Sequence, residues 1–288
     1  MKYIVVTNTF NRPIHLVERS LRASLTQKIS PLKVVLIDQN KTPIELPNDI
    51  TENPLFQVQK VDYASVSAAR NSLKIPVETD WIFFCDDDGY PCEDYSEKLQ
   101  KIIFANENIE ILAGSIIRDD NKEFYTLRHK KGGSLKHFRN SKNLMGSNFV
   151  IRGSTFLRLG KFDEKFGVGS YWGSSEETDF CWSAYFNNVD MGYFPELKVY
   201  HIAPFNESVR GGFKKAFYYG IGKGALVYKW LVKKRKVKVV FELIEMFMVP
   251  FLLSIRAILI LKPQLIITNI AAVSGRIYGF IKAIFVMR

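Results

Sequence analysis

Three aspartates in a row, Asp86-Asp87-Asp88, follow directly on the apolar run Trp81-Ile82-Phe83-Phe84-Cys85. That run is short and rich in aromatics, the composition of a buried strand. Carboxylates placed side by side repel, and a hard divalent cation, which takes oxygen ligands, is the simplest way to hold them together. The competing reading is a solvated turn, because Gly89 and Pro91 follow and Asp-Gly is turn chemistry. The cluster alone favours the turn; its setting reverses that preference.

Residues 3–7 and 33–37 are β-branched runs, and residues 56–61 alternate. Between them, behind Pro13, come Ile14, Val17, Leu21 and Leu25 at helical spacing, and residues 65–73 also read as helix. Strands alternating with helices predict an α/β layer with a mostly parallel sheet, in which ligands bind beyond the carboxyl ends of the strands. Polar clusters stand at those ends: Asn8-Thr9, Asp38 and the three aspartates. Two acidic ends on one side of one sheet point to a shared cation or nucleotide site. There is neither a G-x-G-x-x-G after the first strand nor a P-loop. Arg70, on the second helical segment, is either a surface arginine or a clamp whose fork matches phosphate oxygens.

The stretch that follows is less regular. Residues 109–113 and 148–152 read as strands, 153–159 and 178–186 as helices, and 193–201 as extended chain. Residues 167–175 form a Gly/Ser-rich loop with Tyr171 and Trp172 as aromatic platforms. Where that loop meets a helix stands Glu176-Glu177-Thr178-Asp179. These acids either complement the helix dipole behind a Ser174 or Ser175 cap, or supply a general base for a hydroxyl nucleophile. His201 is either a structural histidine or a ligand for a Mn-type ion beside carboxylates.

The formal net charge of +11 looks like a nucleic-acid signal until its distribution is read. Residues 211–288 hold 14 of the 40 Lys and Arg against two acids, Glu242 and Glu245, a net +12 that leaves the other 210 residues at −1. The tail is also apolar over residues 239–261 and 265–287, behind the basic run Lys233-Lys234-Arg235-Lys236-Val237-Lys238. Basic and apolar together predict a segment drawn to an anionic membrane surface; a nucleic-acid tail would be basic and polar. Residues 239–261 are long enough to span a bilayer, but Glu242, Glu245 and Arg256 interrupt them, as Arg276 and Lys282 interrupt the second stretch. Helices lying in the interface, true spans and a helical subdomain packed on the body all stay open, the first being preferred. The three cysteines, Cys85, Cys92 and Cys181, lack metal-ligand spacing and fit a reducing compartment. With no secretory leader read at the N-terminus, the body is expected to stay in the cytoplasm.

Taken in order, these segments resemble the family 2 glycosyltransferases of the GT-A fold, over roughly residues 2–205. The resemblance rests on Asn8-Thr9-Phe10-Asn11-Arg12-Pro13 after the first strand and on Leu36-Ile37-Asp38. Ala69-Arg70-Asn71 follows, leading to Phe83-Phe84-Cys85-Asp86-Asp87-Asp88 as the D-x-D motif. The later half adds Asn148-Phe149-Val150-Ile151-Arg152, Leu159-Gly160-Lys161-Phe162-Asp163-Glu164, Glu176-Glu177-Thr178-Asp179-Phe180 and Val199-Tyr200-His201. Asn8 replaces a proline of the family pattern, Glu177 replaces an aspartate, and Ser183 stands where an arginine is frequent.

The resemblance implies a Rossmann-like mixed sheet with helices on both faces. Residues 1–105 would be the nucleotide-sugar half, 106–210 the acceptor half and 211–288 the helical membrane-associating region. It implies that Thr9, Phe10, Arg12 and Asp38, with Arg70, Asp86 and Asp87, hold a nucleotide-diphosphate sugar, a UDP-sugar first among them. Asp88, Asp86 and His201 would hold Mg²⁺ or Mn²⁺, and Tyr171 and Trp172 the acceptor. Glu177 would be the catalytic base, with Glu176 and Asp179 as alternatives. The expected reaction is inverting transfer to a hydroxyl of a glycan or lipid-linked acceptor, in cell-surface polysaccharide or glycoconjugate synthesis. The expected place is the cytoplasmic face of a bacterial inner or plasma membrane, peripheral or monotopic, with no nucleic-acid partner. A nucleotidyltransferase and a catalytically inert membrane scaffold of the same fold are the competing classes.

Overall fold

The computed structural model describes residues 1–62, 65–203 and 209–287. Residues 204–208, at the end of the expected acceptor half, and residue 288 lie outside the described set. The chain divides into two compact units, Met1–Phe162 with Phe180–Pro204, and Asp163–Asp179 with Phe205–Arg288.

Among the described residues, the first unit is built on eight strands: β1 (Tyr3–Thr9), β2 (Lys33–Asp38), β3 (Phe56–Lys60), β4 (Trp81–Phe84), β5 (Gly89–Pro91), β6 (Ile111–Arg118), β7 (Phe149–Arg152) and β8 (Met191–His201). They form one sheet in the order β3-β2-β1-β4-β7-β6-β8-β5. β1, β2, β3 and β4 are mutually parallel, whereas β7 runs antiparallel to β4 and β6, and β5 antiparallel to β8. The helices in chain order are α1 (Ile14–Leu25), α2 (Asn48–Thr51), α3 (Val66–Asn71), α4 (Tyr95–Ala105), α5 (Leu127–Lys131), α6 (Gly153–Arg158) and α7 (Glu176–Phe186).

Side chains alternate across a strand, so a strand buried on both faces feeds two cores. Ile4, Val6, Ile82 and Phe84 pack with Ala69 of α3, Phe156 of α6 and Phe180 of α7. Tyr3, Val5, Trp81 and Phe83 point the other way, to Val17 and Leu21 of α1 and Leu99 of α4. The predicted mixed sheet with helices on both faces is therefore the observed one. Because β1, β2 and β4 are parallel, Thr9, Asp38 and the aspartates after Phe84 end on the same edge, with Thr9 and Asp38 in register.

The second unit contains the segment Asp163–Asp179 and three long helices, α8 (Val209–Tyr228), α9 (Val240–Leu259) and α10 (Pro263–Val286). A π-helical turn, Lys229–Lys233, closes α8. α8 and α10 touch backbone to backbone through glycines. A Cβ on Gly224 would lie 2.0 Å from the Arg276 carbonyl oxygen, and one on Gly279 2.0 Å from that of Ile221. Among the described helices, the stretch Gln264–Val286, with a mean hydropathy of 1.3, is long and apolar enough to cross a membrane.

Candidate active site

The three aspartates leave β4 in a tight turn, closed by the Gly89 N–H donating to the Asp86 carbonyl at 3.1 Å. Turn and cation reading thus apply to the same residues. Gly89 then opens β5 and pairs with His201 at the end of β8. A Cβ at Gly89 would press on Val199 Cγ1 at 3.2 Å and touch His201 Cδ2 at an ordinary 3.6 Å, so glycine eases the pairing of β5 with β8 beside His201. Asp86, Asp88 and His201 each offer one ligand atom, and the three atoms lie within 4.8 Å of one another.

Each of these groups is held by a partner. The Arg70 guanidinium, 3% exposed, donates from Nη2 to Asp86 Oδ1 at 3.0 Å and lies 5.7 Å from the ring centres of Phe84 and Phe162. Thr9 Oγ1 donates to Asp87 Oδ2 at 2.8 Å. Arg12 bridges the turn, with Nε 2.9 Å from Asp87 Oδ1 and Nη1 3.0 Å from Asp88 Oδ2. His201 Nε2 is 2.9 Å from Asp88 Oδ1, and its Nδ1 is 3.0 Å from the Ile202 carbonyl. A carbonyl only accepts, so Nδ1 carries a proton and Nε2 is the atom aimed at the carboxylates. Tyr125 sets its ring edge-on to the imidazole at 5.1 Å.

Burial pushes Asp87 up to about 6, against the pull of Arg12 and Thr9. Burial would also raise Asp88, but His201 and Arg12 outweigh it and hold its carboxyl below the usual range. For His201, burial favours the neutral ring, yet the Asp88 hydrogen bond and charge, with Asp86 behind them, raise it to about 9. Two carboxylates and an imidazole, oriented from behind by Arg70 and the Ile202 carbonyl, form a donor set that fits Mg²⁺ or Mn²⁺.

Beside this turn a cleft of about 310 Å³ is lined by Phe10, Asn11, Arg12, Asn40, Lys41, Thr42 and Ile44. Phe10 is half exposed there, and Asn11 takes a left-handed φ of 51° as its N–H donates to Asn40 Oδ1. Asp38, 1% exposed, shapes the opposite wall. Its Oδ1 accepts from Asn40 N at 2.9 Å and Asn40 Nδ2 at 2.7 Å, and its Oδ2 from Ile44 N at 3.2 Å. Asp38 thus acts on the cleft through the loop it folds.

The remaining expected residues belong to the second unit. Glu177 is half-buried in the first turn of α7, next to the buried Glu176, and Ser175 before them has a left-handed φ of 77°. Asp179, 4% exposed, is bound at 2.8 Å by Lys229 Nζ and at 2.6 Å by Trp230 Nε1, and Lys229 also reaches Asp163 at 2.9 Å. Tyr171 is 54% exposed, with the Lys282 ammonium 4.1 Å from its ring centre, whereas Trp172 is 1% exposed and stacks on Phe166. Lys229 and Trp230 were not legible as partners of the acidic motifs. They sit in a basic, apolar tail whose charge reads as lipid-facing, and only their place at the end of α8 hints at a packed position.

The model of the family described as glycosyl transferase family 2 matches residues 4–167. No curated protein sequence matches the chain. Among solved structures, S. aureus TarS superposes with a TM-score of 0.60 at 16% identity, over 85% of this chain and 43% of that chain. The chain therefore spans less than half the length of TarS, and the likeness is one of fold. With the family match covering more than half of its length and the GT-A-like sheet beneath it, this chain belongs to glycosyltransferase family 2.

Proposed function

We propose that the protein is an inverting, divalent-metal-dependent glycosyltransferase that moves a sugar from a nucleotide-diphosphate sugar, with a UDP-sugar the first to test, onto a hydroxyl of a glycan or lipid-linked acceptor. The observation that carries this reading is the Asp86–Asp88–His201 cluster at the strand edge, beside the cleft under Phe10, in a family 2 chain.

In this reading Phe10 stacks on the base, and the loop folded by Asp38 walls the nucleoside. Arg12 and Arg70 orient the aspartates from two sides. A divalent ion held by Asp88, Asp86 and His201 would supply Lewis acidity to the departing diphosphate. Glu177 takes the proton of the acceptor hydroxyl as that oxygen attacks the anomeric carbon. A single displacement inverts that carbon. Asp179 is the less suited of the alternative bases, because Lys229 and Trp230 occupy both of its oxygens; Glu176 stays open. Tyr171, half exposed, offers an acceptor platform.

The basic, apolar second unit supports association with the anionic cytoplasmic leaflet of a bacterial membrane, where a lipid-linked acceptor in polysaccharide or glycoconjugate synthesis would reside. The test is metal-dependent hydrolysis of UDP-sugars without acceptor. Wild type should release UDP with Mn²⁺, Asp88→Asn should not, and Glu177→Gln should lose transfer to added acceptor. Equal turnover in wild type and Asp88→Asn would sink the reading.

A further inference from the structure

Among the described residues, the second unit has a base tied together by an ion pair and close glycine contacts, and an end without them. At its base, Glu242 is 1% exposed and pairs with Lys223 at 2.6 Å, and Arg276 Nη1 donates to the Met246 carbonyl at 2.5 Å. There Gly275 and Gly279 of α10 press on the carbonyls of Phe217 and Ile221, and Lys282 lies over Tyr171. One face of this half of α10 is packed against α8, while Ile281 and Phe285 stay exposed, so α10 does not offer its full circumference to a bilayer.

Beyond the base, residues 247–274 contain two cations, Arg256 and Lys262, and no acid. Large apolar side chains there face solvent, among them Phe251 at 60%, Leu252 at 56%, Leu259 at 78% and Leu261 at 88%. Between the two helices opens a cleft of about 450 Å³, lined by Phe247, Phe251, Ile270 and Val273 among others. Of its three polar residues, Ser254 and Asn269 bond to each other at 3.2 Å and Ser274 lies at the surface, so the rest of the wall is hydrocarbon-compatible. An exposed apolar face of this extent calls for a partner.

Charge identifies that partner and sets its orientation. The basic run Lys233-Lys234-Arg235-Lys236 precedes α9, and Arg256 and Lys262 mark its far end. An upright hairpin would carry Arg256, nine residues past Phe247, about 14 Å deep at 1.5 Å per residue. That is near the middle of a hydrocarbon layer of about 30 Å, and Lys262 would lie deeper still without reaching the other side. A hairpin lying along the surface puts the cations at both ends of α9 at one headgroup level, with their stems over the apolar face.

We propose that the α9–α10 hairpin lies in the interface of an anionic bilayer, with residues 247–270 in the shallow acyl region and the basic residues at either end of α9 on lipid phosphates. The proposal rests on the membrane association set out above and gives it a surface and an orientation.

The experiment uses the full chain with Cys92→Ser, since Cys85 and Cys181 are buried. A polarity-sensitive dye is placed at Leu252→Cys, and vesicles of neutral or mixed neutral and anionic lipid carry a spin label near the headgroup or near the chain end. The expected result is flotation with anionic vesicles, a blue-shifted dye and stronger quenching by the shallow label. A Phe251→Glu, Leu252→Glu variant should bind about tenfold less. Stronger quenching by the deep label would overturn the lying orientation. Flotation with an unshifted dye would show that the basic run alone binds, and would overturn insertion. A blue shift without vesicles, accompanied by dimerisation, would assign the face to a second copy and overturn the proposal. Failure to float on anionic vesicles would remove membrane association itself, while UDP-sugar hydrolysis stays as the separate test of chemistry.

Discussion

Asp88 stands between the Arg12 guanidinium at 3.0 Å and the His201 ring at 2.9 Å, and against its burial these two hold its carboxyl below the usual range. In the proposed reading a divalent ion would take the Asp88 oxygen that the His201 ring faces here. Removing the charge by Asp88→Asn should weaken Mn²⁺ binding, read by calorimetry, by more than the roughly 10–100-fold that an outer-shell partner is worth. Lys229 poses a different case. Its ammonium neutralises Asp163 and the buried Asp179, so Lys229→Met strands a carboxylate away from water and should lower stability in urea by about 3–5 kcal/mol. Adding Asp179→Asn to that variant should restore part of the loss; no recovery would show that the pair is not coupled. His129 supplies a pH dependence away from the site. Its Nδ1 accepts from the Ile116 N–H, and burial, with Arg128 nearby, pushes it down to about 4 from 6.5. The unfolded chain therefore binds the proton more readily. The neutral ring's contribution is complete above about pH 6.5 and is lost as the pH falls through about 4. His129→Asn, which keeps an acceptor for Ile116, should flatten the stability profile across that window.

The strands legible as apolar runs are those buried on both faces, whereas β3, largely exposed, was legible by its alternation. β1, β2 and β4 contain apolar runs over residues 3–6, 34–37 and 81–84, and their shared direction follows from the intervening α1 and α3. β6 and β7 were legible as strands but not in direction, because an antiparallel partner is set by a connection of irregular chain. β5 was not legible: Gly89–Pro91 is three residues that read as a turn, yet its pairing with β8 carries Asp88 to His201. The aspartates were visible as a cluster for local reasons, whereas the histidine reached them through a strand that propensity does not reveal. α4 lies outside the sequence reading although Leu99, Ile102 and Ile103 give it an apolar face. In the second unit, the glycine contacts between α8 and α10 predict a sharp steric response. Gly224→Ala sets a methyl against the Arg276 carbonyl and should cost roughly 1–3 kcal/mol or more, seen as a lower melting temperature.

As a whole the chain separates its charge: a near-neutral body bears the candidate metal cluster, and the tail bears the basic excess. That division is what the proposed donor site on the strand edge and the proposed lipid-facing second unit would require of a chain with a net charge of +11. The decisive measurement is a thermal-shift series of nucleotide-diphosphate sugars on wild type and Asp88→Asn, with and without Mn²⁺. A donor at a hundredfold excess over its Kd should stabilise the native state by about 2.7 kcal/mol, or roughly 5–10 °C. The shift should require Mn²⁺ and vanish in Asp88→Asn. A shift of equal size without the metal, or in the variant, would contradict the assignment of Asp86, Asp88 and His201 as the metal–diphosphate end of a glycosyl-transfer site.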